Sequence, residues 1–331
     1  MIMKEKYVGT DVKAVITGIR EDLQAKGKSL KAVYFVACGG SEASIAAGKY
    51  MLATETKTLA VGKYNSNLFV HDTPKMLDDC CIVVCCTLKG TAETIEAMRT
   101  AEAAGAYSIA LTGNAETPMA KAAPCVVLYG GAGTASNSTS ASIRIAMEIL
   151  HQFENWELYE KTAEVFDKIN GIVEADKAHW LEAAKAFGRD FAEDEIFYVL
   201  GCGPLEGTAY SMANCHLIEM QTKHAVLIPS GDYFHGPFES TTKELPLVLL
   251  ESNGRSRALD ERVLRFFERF AGRYTVIDAA ESALYQTADP AVAEYFEPVV
   301  IWPIERMFVE QMAEVRGRSM DDRIYMWKYE Y

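Results

Sequence analysis

The feature that most constrains the fold of this chain is an internal repeat with an offset of 164 residues. The segment Tyr34–Ser41 (Y-F-V-A-C-G-G-S) resembles Tyr198–Leu205 (Y-V-L-G-C-G-P-L), and the same offset aligns Ile82–Thr87 with Pro246–Glu251. These segments carry short apolar runs typical of buried strands. A repeat this long indicates duplicated domains, because solenoid repeats are only about 20–50 residues long.

Each half alternates short apolar runs with amphipathic stretches, which is the pattern of β-α-β units around a parallel sheet. We predict an α/β fold with two tandem domains, each a three-layer, flavodoxin-like arrangement of a parallel sheet flanked by helices. The domains span residues 1–160 and 191–331, with a helical connector at 161–190 and a docked C-terminal tail. The predicted strands lie near 32–37, 58–61, 81–86, 107–111 and 125–128, and near 196–200, 225–229, 245–250, 274–278 and 299–302.

Charge and hydropathy restrict the partners of the protein. The 331-residue chain has a net charge of -13 and no basic tract, so neither nucleic acid nor an anionic membrane is an expected partner. Its first ten residues are too polar for a signal peptide, and no apolar run approaches the roughly 20 residues that span a bilayer. We therefore expect a cytoplasmic protein.

The eight cysteines do not form a metal-binding pattern. Cys81, Cys85 and Cys86 lie in one apolar run, where neighbouring strand residues point to opposite faces, and no C-x-x-C pair occurs. We predict small core residues in a reducing compartment and no metal. The alternative is a reactive thiol at Cys38 or Cys202, which lie beside glycines.

Two motifs at predicted strand ends are suited to binding an anion. In C-G-G-S, Gly39 and Gly40 allow a sharp turn, and Ser41 is predicted as the helix N-cap, where its hydroxyl and free amides bind an anion. The G-x-G-x-x-G pattern of dinucleotide sites is absent, so nicotinamide is not expected. The second motif, T-L-K-G-T-A-E-T, begins at Thr87.

In this second motif Thr87, Lys89, Gly90 and Thr91 form a predicted phosphate cradle, with Lys89 supplying the full charge. An ordinary capping box at Thr91 is the alternative. Two such strand ends on one sheet edge define a ligand-binding cleft.

The glycine-rich segment Tyr129–Ser140 also lies between a predicted strand and a helix. Ser138 and Thr139 could cap that helix or reach a ligand hydroxyl, and both interpretations stay open.

Glu219 and His235 are the candidates for proton transfer. Glu219 shares a predicted helix face with His216 and Met212, and this apolar face would leave it partly desolvated, as suits a general base. His235 lies in a tight turn before Gly236. The alternatives are a solvated helix glutamate and an ordinary surface histidine.

These motifs resemble those of the SIS (sugar isomerase) family, and the whole chain looks like a double-SIS protein. C-G-G-S and T-L-K-G-T-A-E-T are similar to the family's phosphosugar-binding segments, although the second lacks one residue of the usual S-x-S-G-x-T-x-E. The segment E-M-Q-T-K-H-A-V-L-I-P-S-G-D-Y-F-H-G-P resembles the isomerase half of glucosamine-6-phosphate synthase. In that enzyme a glutamate and a histidine at this separation move protons on an opened sugar, so the resemblance implies these roles for Glu219 and His235.

Within the family, V-A-C-G-G-S, S-G-D-Y-F-H-G-P-F-E and the terminal R-I-Y-M-W-K-Y-E-Y are most similar to the fructosamine-6-phosphate deglycases. This resemblance implies a cofactor-free enzyme that splits a 6-phosphofructosyl amino acid, such as 6-phosphofructose-aspartate or fructoselysine 6-phosphate, into glucose 6-phosphate and the amino acid. A phosphosugar aldose–ketose isomerase, a glucosamine-6-phosphate isomerase-deaminase and a non-catalytic sugar-phosphate binding protein stay open as alternatives. The implied phosphate- and sugar-binding residues are Gly39, Gly40, Ser41, Thr87, Lys89, Gly90, Thr91 and Ser138.

The resemblance extends to the C-terminal tail. Lys328 matches a tail that closes over the sugar in the family, and the aromatic residues Tyr325, Trp327, Tyr329 and Tyr331 favour a docked tail over a frayed end. The family also implies a homodimer, in which the histidine loop reaches the site of the neighbouring subunit.

Overall fold

The computed structural model of the protein describes residues 6–130 and 133–330. These residues divide into two compact units, the first ending at Asp167 and the second beginning at Lys168. Most of the predicted connector lies in one helix, α8 (Ile169–Phe191), which belongs to the second unit. No helix within the described ranges has the length and apolar character needed to cross a membrane.

Unit 1 contains one parallel sheet flanked by helices, which confirms the predicted fold class for this half. The sheet order is β1-β6-β5-β4-β2-β3, and β2, β4 and β5 are buried along their whole length because helices cover both faces. The strands are β1 (Tyr7–Gly9), β2 (Ala32–Ala37), β3 (Ala60–Asn65), β4 (Cys81–Cys86), β5 (Tyr107–Thr112) and β6 (Cys125–Leu128). The helices are α1 (Val12–Ala25), α2 (Gly39–Glu55), α3 (Ser66–His71), α4 (Ala92–Ala103), α5 (Pro118–Ala122), α6 (Ser138–Glu154) and α7 (Tyr159–Phe166).

Helices α2 and α6 of unit 1 run side by side with their first turns together. The Ser142 hydroxyl accepts from the Gly48 amide at 3.1 Å and contacts the Ser44 carbonyl oxygen at 3.2 Å, while Glu154 at the other end accepts from the Thr56 hydroxyl at 2.6 Å. Gly48 makes this approach possible, because a Cβ atom there would lie 2.4 Å from the Ser142 oxygen. The packing therefore brings the first turn of α6 beside the first turn of α2.

Unit 2 contains a second parallel sheet, in the order β10-β9-β7-β8. Its strands are β7 (Ile196–Leu200), β8 (His224–Ile228), β9 (Leu247–Glu251) and β10 (Tyr274–Asp278). The remaining helices are α9 (Glu206–Tyr210), a π-helix (Ser211–Met220), α10 (Arg257–Phe270), α11 (Leu284–Thr287) and α12 (Glu297–Val315). The second unit thus repeats the helix-flanked parallel sheet of the first.

The predicted strand at Val299–Trp302 is wrong, because these residues lie inside helix α12. A short apolar run does not distinguish a buried strand from a buried helix. Here the run is buried because α12 packs closely on α8. At Gly188 of α8, a Cβ atom would lie 2.6 Å from the carbonyl oxygen of Gln311.

The sequence repeat is preserved in the strand register. Tyr34 of β2 pairs with Val83 of β4, and the corresponding residues 164 positions later, Tyr198 and Leu247, also pair. The neighbouring pair Ala32 with Ala60 likewise corresponds to Ile196 with His224. The duplication therefore covers three strands of each sheet in register. One of them, β3 in unit 1 and its counterpart β8 in unit 2, was not detected by comparing the sequences.

The α2–α6 contact gives a stability prediction. We expect Gly48→Ala to lower the free energy of unfolding of unit 1 by about 1–3 kcal/mol, because the new methyl group forces two packed helices apart. Gly18→Ala is the matched control, since that helix position has open space around it and alanine should stabilise it by about 0.5–1 kcal/mol. Urea unfolding of both variants measures the difference. Equal stability of the two variants would contradict this description of the helix contact.

Candidate active site

The two predicted anion-binding motifs lie at adjacent strand ends in unit 1. Strands β2 and β4 pair directly, and the chain order reverses here because β3 follows β2 on one side while β5 follows β4 on the other. Helices α2 and α4 leave these strands. Open α/β sheets bind ligands at such a reversal, at the carboxyl ends of the strands.

The first motif forms the start of α2. The helix begins at Gly39 with Cys38 as its N-cap, so the prediction of Ser41 as N-cap is wrong. Gly39 has φ 56°, a left-handed conformation, and the helix starts three residues earlier than the capping pattern suggests. The first internal bond runs from the Glu42 amide to the Cys38 carbonyl at 3.4 Å, so the amides of Gly39, Gly40 and Ser41 precede it. The positive end of a 17-residue helix is therefore open to an anion.

The second motif forms a turn organised by the buried hydroxyl of Thr87. This hydroxyl accepts from the amides of Gly90 at 3.2 Å and Thr91 at 3.0 Å, and it lies 2.9 Å from the Thr91 hydroxyl. Thr91 is the N-cap of α4, yet its side chain does not cap the helix, and Thr94 instead bonds to Ser66 at 2.9 Å. The capping-box interpretation is therefore wrong. Two threonine hydroxyls are held together beside the start of α4.

Gly90 and Lys89 complete this turn. Gly90 has φ 94°, and a Cβ atom there would lie 2.9 Å from the Pro118 ring, so only glycine fits without a shift. Lys89, which precedes Gly90, is exposed. The turn therefore carries an exposed positively charged residue next to Gly90.

A buried thiol connects the strand ends. Burial raises the pKa of Cys86 to about 12, and hydrogen bonds with Ser41, Ser44 and Tyr129 oppose this rise. Tyr129 follows β6, and its own pKa is raised by burial and by Cys86. Hydroxyl groups after β2 and β6 thus meet at the last residue of β4. Sequence reasoning missed Ser44 and Tyr129, although Ser44 follows Ser41 by three residues on the same helix.

Ser138 begins helix α6, whose first turn lies beside that of α2. The cap of α6 is Asn137, whose side chain accepts from the Ser140 amide at 2.8 Å, so the capping role considered for Ser138 and Thr139 is wrong. Ser138 is partly exposed at the first helical position. Of the glycine-rich segment, residues 131 and 132 lie outside the described residues.

Glu219 of unit 2 lies in the π-helix, where the predicted helix face does not form. The Gln221 amide bonds to the His216 carbonyl at 3.1 Å, which is an i→i+5 bond. This wider turn places residues three positions apart, such as His216 and Glu219, on different sides of the helix. His216 is buried and its Nδ1 lies 2.8 Å from Glu305 Oε2. Glu219 is instead 27% exposed and forms an ion pair with Arg323 at 2.6 Å. The prediction that these two side chains share a face is therefore wrong.

His235 is exposed in the turn between β8 and β9. Its backbone amide bonds to the Asp232 carbonyl at 2.9 Å, and the neighbouring Tyr233 is buried, with ring centroids 5.8 Å from both Phe266 and Phe267. The turn is thus anchored to α10 through aromatic packing while the imidazole faces outward. This arrangement leaves His235 accessible to a ligand or to another chain.

The C-terminal tail is held by polar contacts rather than by its aromatic residues. Lys328 Nζ donates to the Arg323 carbonyl, whereas Tyr325, Trp327 and Tyr329 are 70%, 64% and 67% exposed. The aromatic side chains expected to dock the tail thus stay exposed on this chain. Tyr331 lies outside the described residues.

Comparison with known proteins gives the family. The SIS domain matches residues 28–150. The fructosamine deglycase of Bacillus subtilis is 34% identical over 310 residues, which are 92% of this chain and 94% of that protein. The chain belongs to the SIS-domain family. The fructoselysine 6-phosphate deglycase of Escherichia coli K12 is more distant, with 27% identity over 84% of this chain and 81% of that protein.

Solved structures agree with this SIS-domain assignment. A Salmonella typhimurium LT2 protein named as a phosphosugar isomerase has a TM-score of 0.91 and 34% identity, with coverage of 97% of this chain and 99% of that one. The predicted family and its tandem α/β architecture are both confirmed.

The second SIS repeat carries a counterpart of the Thr87 turn with different chemistry. The 164-residue offset places Glu251 at the position of Thr87 and Gly254 at that of Gly90. It also places Pro204, which has no amide hydrogen, at the position of Gly40. Gly203 keeps the left-handed backbone of Gly39, with φ 57°. The backbone plan is preserved, but Thr87 and Gly40 of unit 1 are replaced by Glu251 and Pro204.

Carboxylates of the chain itself occupy the amides of this second turn. The Ser252 amide donates to Asp260 at 3.0 Å, the Asn253 amide to Glu297 at 2.8 Å, and the Arg255 amide to Glu294 at 3.0 Å. These amide donors are therefore already occupied and are not free to bind an added phosphate. The hydroxyl-lined strand ends of unit 1 are thus the better anion site of the two repeats.

Acidic and thiol groups elsewhere do not form a further site. Within residues 6–130 and 133–330, one group is close enough to share a metal ion, Asp78 with Asp79 and Cys80, and its two carboxylates are already paired with Lys31 and Lys28. Cys202, considered as a reactive thiol, is buried, and burial raises its pKa to about 12.

The buried Glu297 gives a pH prediction. Burial raises the pKa of Glu297 from 4.5 to about 7. The folded protein therefore keeps a proton that the unfolded chain releases, so the stability contributed by this proton is complete below about pH 4.5 and is lost as pH rises through about 7. We expect Glu297→Gln, relative to the wild type, to gain stability between about pH 5 and pH 8 in thermal unfolding.

The control for this experiment is Glu244→Gln, a change at an exposed carboxylate. Its stability relative to the wild type should stay constant over the same range. A constant difference for Glu297→Gln as well would show that Glu297 does not retain its proton in the folded state.

Proposed function

We propose that this protein is a fructosamine-6-phosphate deglycase, which splits a 6-phosphofructosyl amino acid into glucose 6-phosphate and the free amino acid. The observation that carries the proposal is the pair of strand ends at β2 and β4, where an open helix start, three hydroxyls and one lysine suit a sugar phosphate. The 34% identity to the fructosamine deglycase of Bacillus subtilis over nearly the whole chain supports the reaction.

In this proposal the residues of unit 1 bind the 6-phosphate and the adjoining sugar. The amides of the α2 first turn and the Ser41 hydroxyl donate hydrogen bonds to one side of the phosphate, while Thr87, Thr91 and Lys89 contact the other. Gly39, Gly40 and Gly90 allow the backbone to approach, and Ser138 contacts a sugar hydroxyl. This arrangement uses donors that require no metal.

In the proposed reaction the residues of unit 2 move protons. His235 transfers a proton at the ring oxygen and so opens the sugar. Glu219 removes a proton from C1, which gives an enolamine, and a proton returned to C2 gives a Schiff base. Water then adds to the C=N bond and releases the amine, so atoms balance without a redox cofactor. Lys328 places a positive charge near the phosphate or the open-chain carbonyl.

The proposal includes a cytoplasmic homodimer. The exposed His235 and the exposed aromatic residues of the tail support it, because both are groups that a second copy of the chain would cover. Mixing Glu219→Gln and His235→Ala proteins tests this part. Recovered activity in the mixture supports a shared site, and no recovery would limit each site to one chain.

A coupled assay with glucose-6-phosphate dehydrogenase tests the reaction. The substrates are phosphorylated fructosyl amino acids carrying aspartate, lysine or other amino acids, and the deglycase proposal requires glucose 6-phosphate from at least one. Solved relatives named as phosphosugar isomerases make aldose–ketose isomerisation the second candidate. Turnover of a phosphosugar alone, or of fructose 6-phosphate with ammonia, without cleavage of any fructosyl amino acid would favour that candidate.

The base assignment predicts that Glu219→Gln lowers kcat by about 10²–10⁴ and leaves substrate binding largely intact, because the amide keeps the shape and loses the proton acceptor. Steady-state kinetics and calorimetric binding check both parts. Glu206→Gln, an exposed glutamate earlier in the same region, is the control and should keep normal activity. Wild-type kcat in Glu219→Gln would refute the mechanism.

The phosphate assignment predicts that Ser41→Ala, Thr91→Ala and Lys89→Ala mainly raise KM, because the phosphate is bound similarly in the ground and transition states. Thr100→Ala serves as the control, since this partly exposed threonine near the end of α4 donates its hydroxyl to the Glu96 carbonyl at 3.0 Å. Kinetics with phosphorylated and unphosphorylated substrates measure the effect. Equal kcat/KM with and without the phosphate would remove the case for this cradle.

A further inference from the structure

A set of arginines attaches the C-terminal segment to the end of the π-helix that carries Glu219. Arg316 Nη1 donates to the Gln221 carbonyl at 2.7 Å, and Arg318 Nε donates to the Met220 carbonyl at 3.0 Å. These are the last carbonyls of the helix, where positive charge is favourable. The segment is therefore bonded to the two residues that follow Glu219.

Arg323 differs from these two arginines because it contacts the carboxylate. Its Nε and Nη2 lie 2.8 and 2.6 Å from Glu219 Oε1, and both contacts are to this one oxygen. The Oε2 atom of Glu219 lies outside this pair. Two donors on one oxygen restrict where that oxygen can lie and leave the other oxygen to accept a proton from a substrate.

The guanidinium group of Arg323 is itself held in place. Its Nη1 donates to the carbonyls of Met320 at 3.0 Å and Asp322 at 2.8 Å, and its side chain is only 6% exposed. Its guanidinium carbon lies 5.2 Å from the centroid of the Trp327 ring. Such a buried, fully engaged arginine has few alternative conformations, so its position determines that of the carboxylate.

The same residue connects Glu219 to the end of the tail. The Arg323 carbonyl accepts a hydrogen bond from Lys328, so the main chain and side chain of one residue contact the tail lysine and the carboxylate. A movement of the tail would therefore move the guanidinium group and, through it, Glu219.

We propose that Arg323 is a positioning residue through which the C-terminal segment fixes the orientation of the Glu219 carboxylate for proton removal. This inference rests on the proposed function, in which Glu219 is the general base. Arg323 does not touch the substrate. Its loss should therefore reduce the rate of proton transfer and leave phosphate binding unchanged.

The test uses Arg323→Gln in the full-length protein with a phosphorylated fructosyl amino acid as substrate. We expect kcat to fall about 10²-fold while KM stays within about threefold, because the base is present but misplaced. Arg323→Lys keeps the charge without the two-pronged geometry, and its kcat should lie between those of Arg323→Gln and the wild type. Arg265→Gln is the control, since it removes an arginine that is 63% exposed and pairs with Glu261 instead of Glu219, and its activity should be close to normal.

A double variant separates positioning from a purely structural role. If Arg323 acts through Glu219, adding Arg323→Gln to Glu219→Gln should cause no further loss of kcat. Multiplied losses, or wild-type kcat in Arg323→Gln, would overturn the inference. Should Arg323→Gln fail to fold by circular dichroism, Arg323→Lys alone with wild-type kcat and KM would also overturn it.

The two proposals fail in different ways. A fully active Glu219→Gln would refute the proposed mechanism and this inference together. An inactive Glu219→Gln beside a fully active Arg323→Gln would refute this inference alone.

Discussion

Parallel pairing of two buried strands is the constraint on which the rest of this structure depends. Pairing of β2 with β4 brings their carboxyl ends to one edge, and because both faces of the sheet are covered, the polar groups of the chain concentrate at this edge. The turns that follow β2 and β4 are short, because α2 begins at Gly39 and α4 begins at Ala92. Gly39 and Gly90 adopt left-handed conformations there, so the glycines set where each helix starts.

The strands and the family were predictable from the sequence, whereas the orientation of several site residues was not. Apolar runs such as Cys81–Cys86 identify buried strands because neither face contacts water. The same rule failed at Val299–Trp302, where Val299, Val300 and Ile301 are buried in a helix that packs on α8. An apolar run in the sequence predicts that its residues are buried. Whether those residues form a strand or a helix depends here on packing against α8, which is distant in the chain.

Local rules failed at the site for a similar reason. A serine after two glycines suggests an N-cap, yet the positive φ of Gly39 lets the helix begin before Ser41. The heptad-like spacing of Met212 and Glu219 suggests one face, yet the helix is wound as a π-helix. Arg323 lay within the terminal string that resembles the deglycases, but its contact with Glu219 spans 104 residues and carries no local signal. Departures from local rules are expected at functional sites.

The two halves show how one backbone plan supports opposite electrostatics. In unit 1 the turn after β4 is organised by a neutral threonine hydroxyl, which leaves the adjoining helix start open to an anion. In unit 2 the equivalent turn holds Asp260, Glu294 and Glu297 on its amides, and burial raises the pKa of Glu297 to about 7. The second repeat has thus kept the fold of the first, while the amides of its equivalent turn bond to carboxyl groups of the chain itself.

The attachment of the last residues to Glu219 also affects how the protein is made. A ribosome completes both sheets before it reaches Arg323, because β10 ends at Asp278. The ion pair between Glu219 and Arg323 therefore forms only when almost the entire message has been translated. A chain released early, or one shortened by a protease near its end, retains the turns after β2 and β4 but lacks this contact. The surroundings of Glu219 are therefore completed only when synthesis of the chain is almost finished.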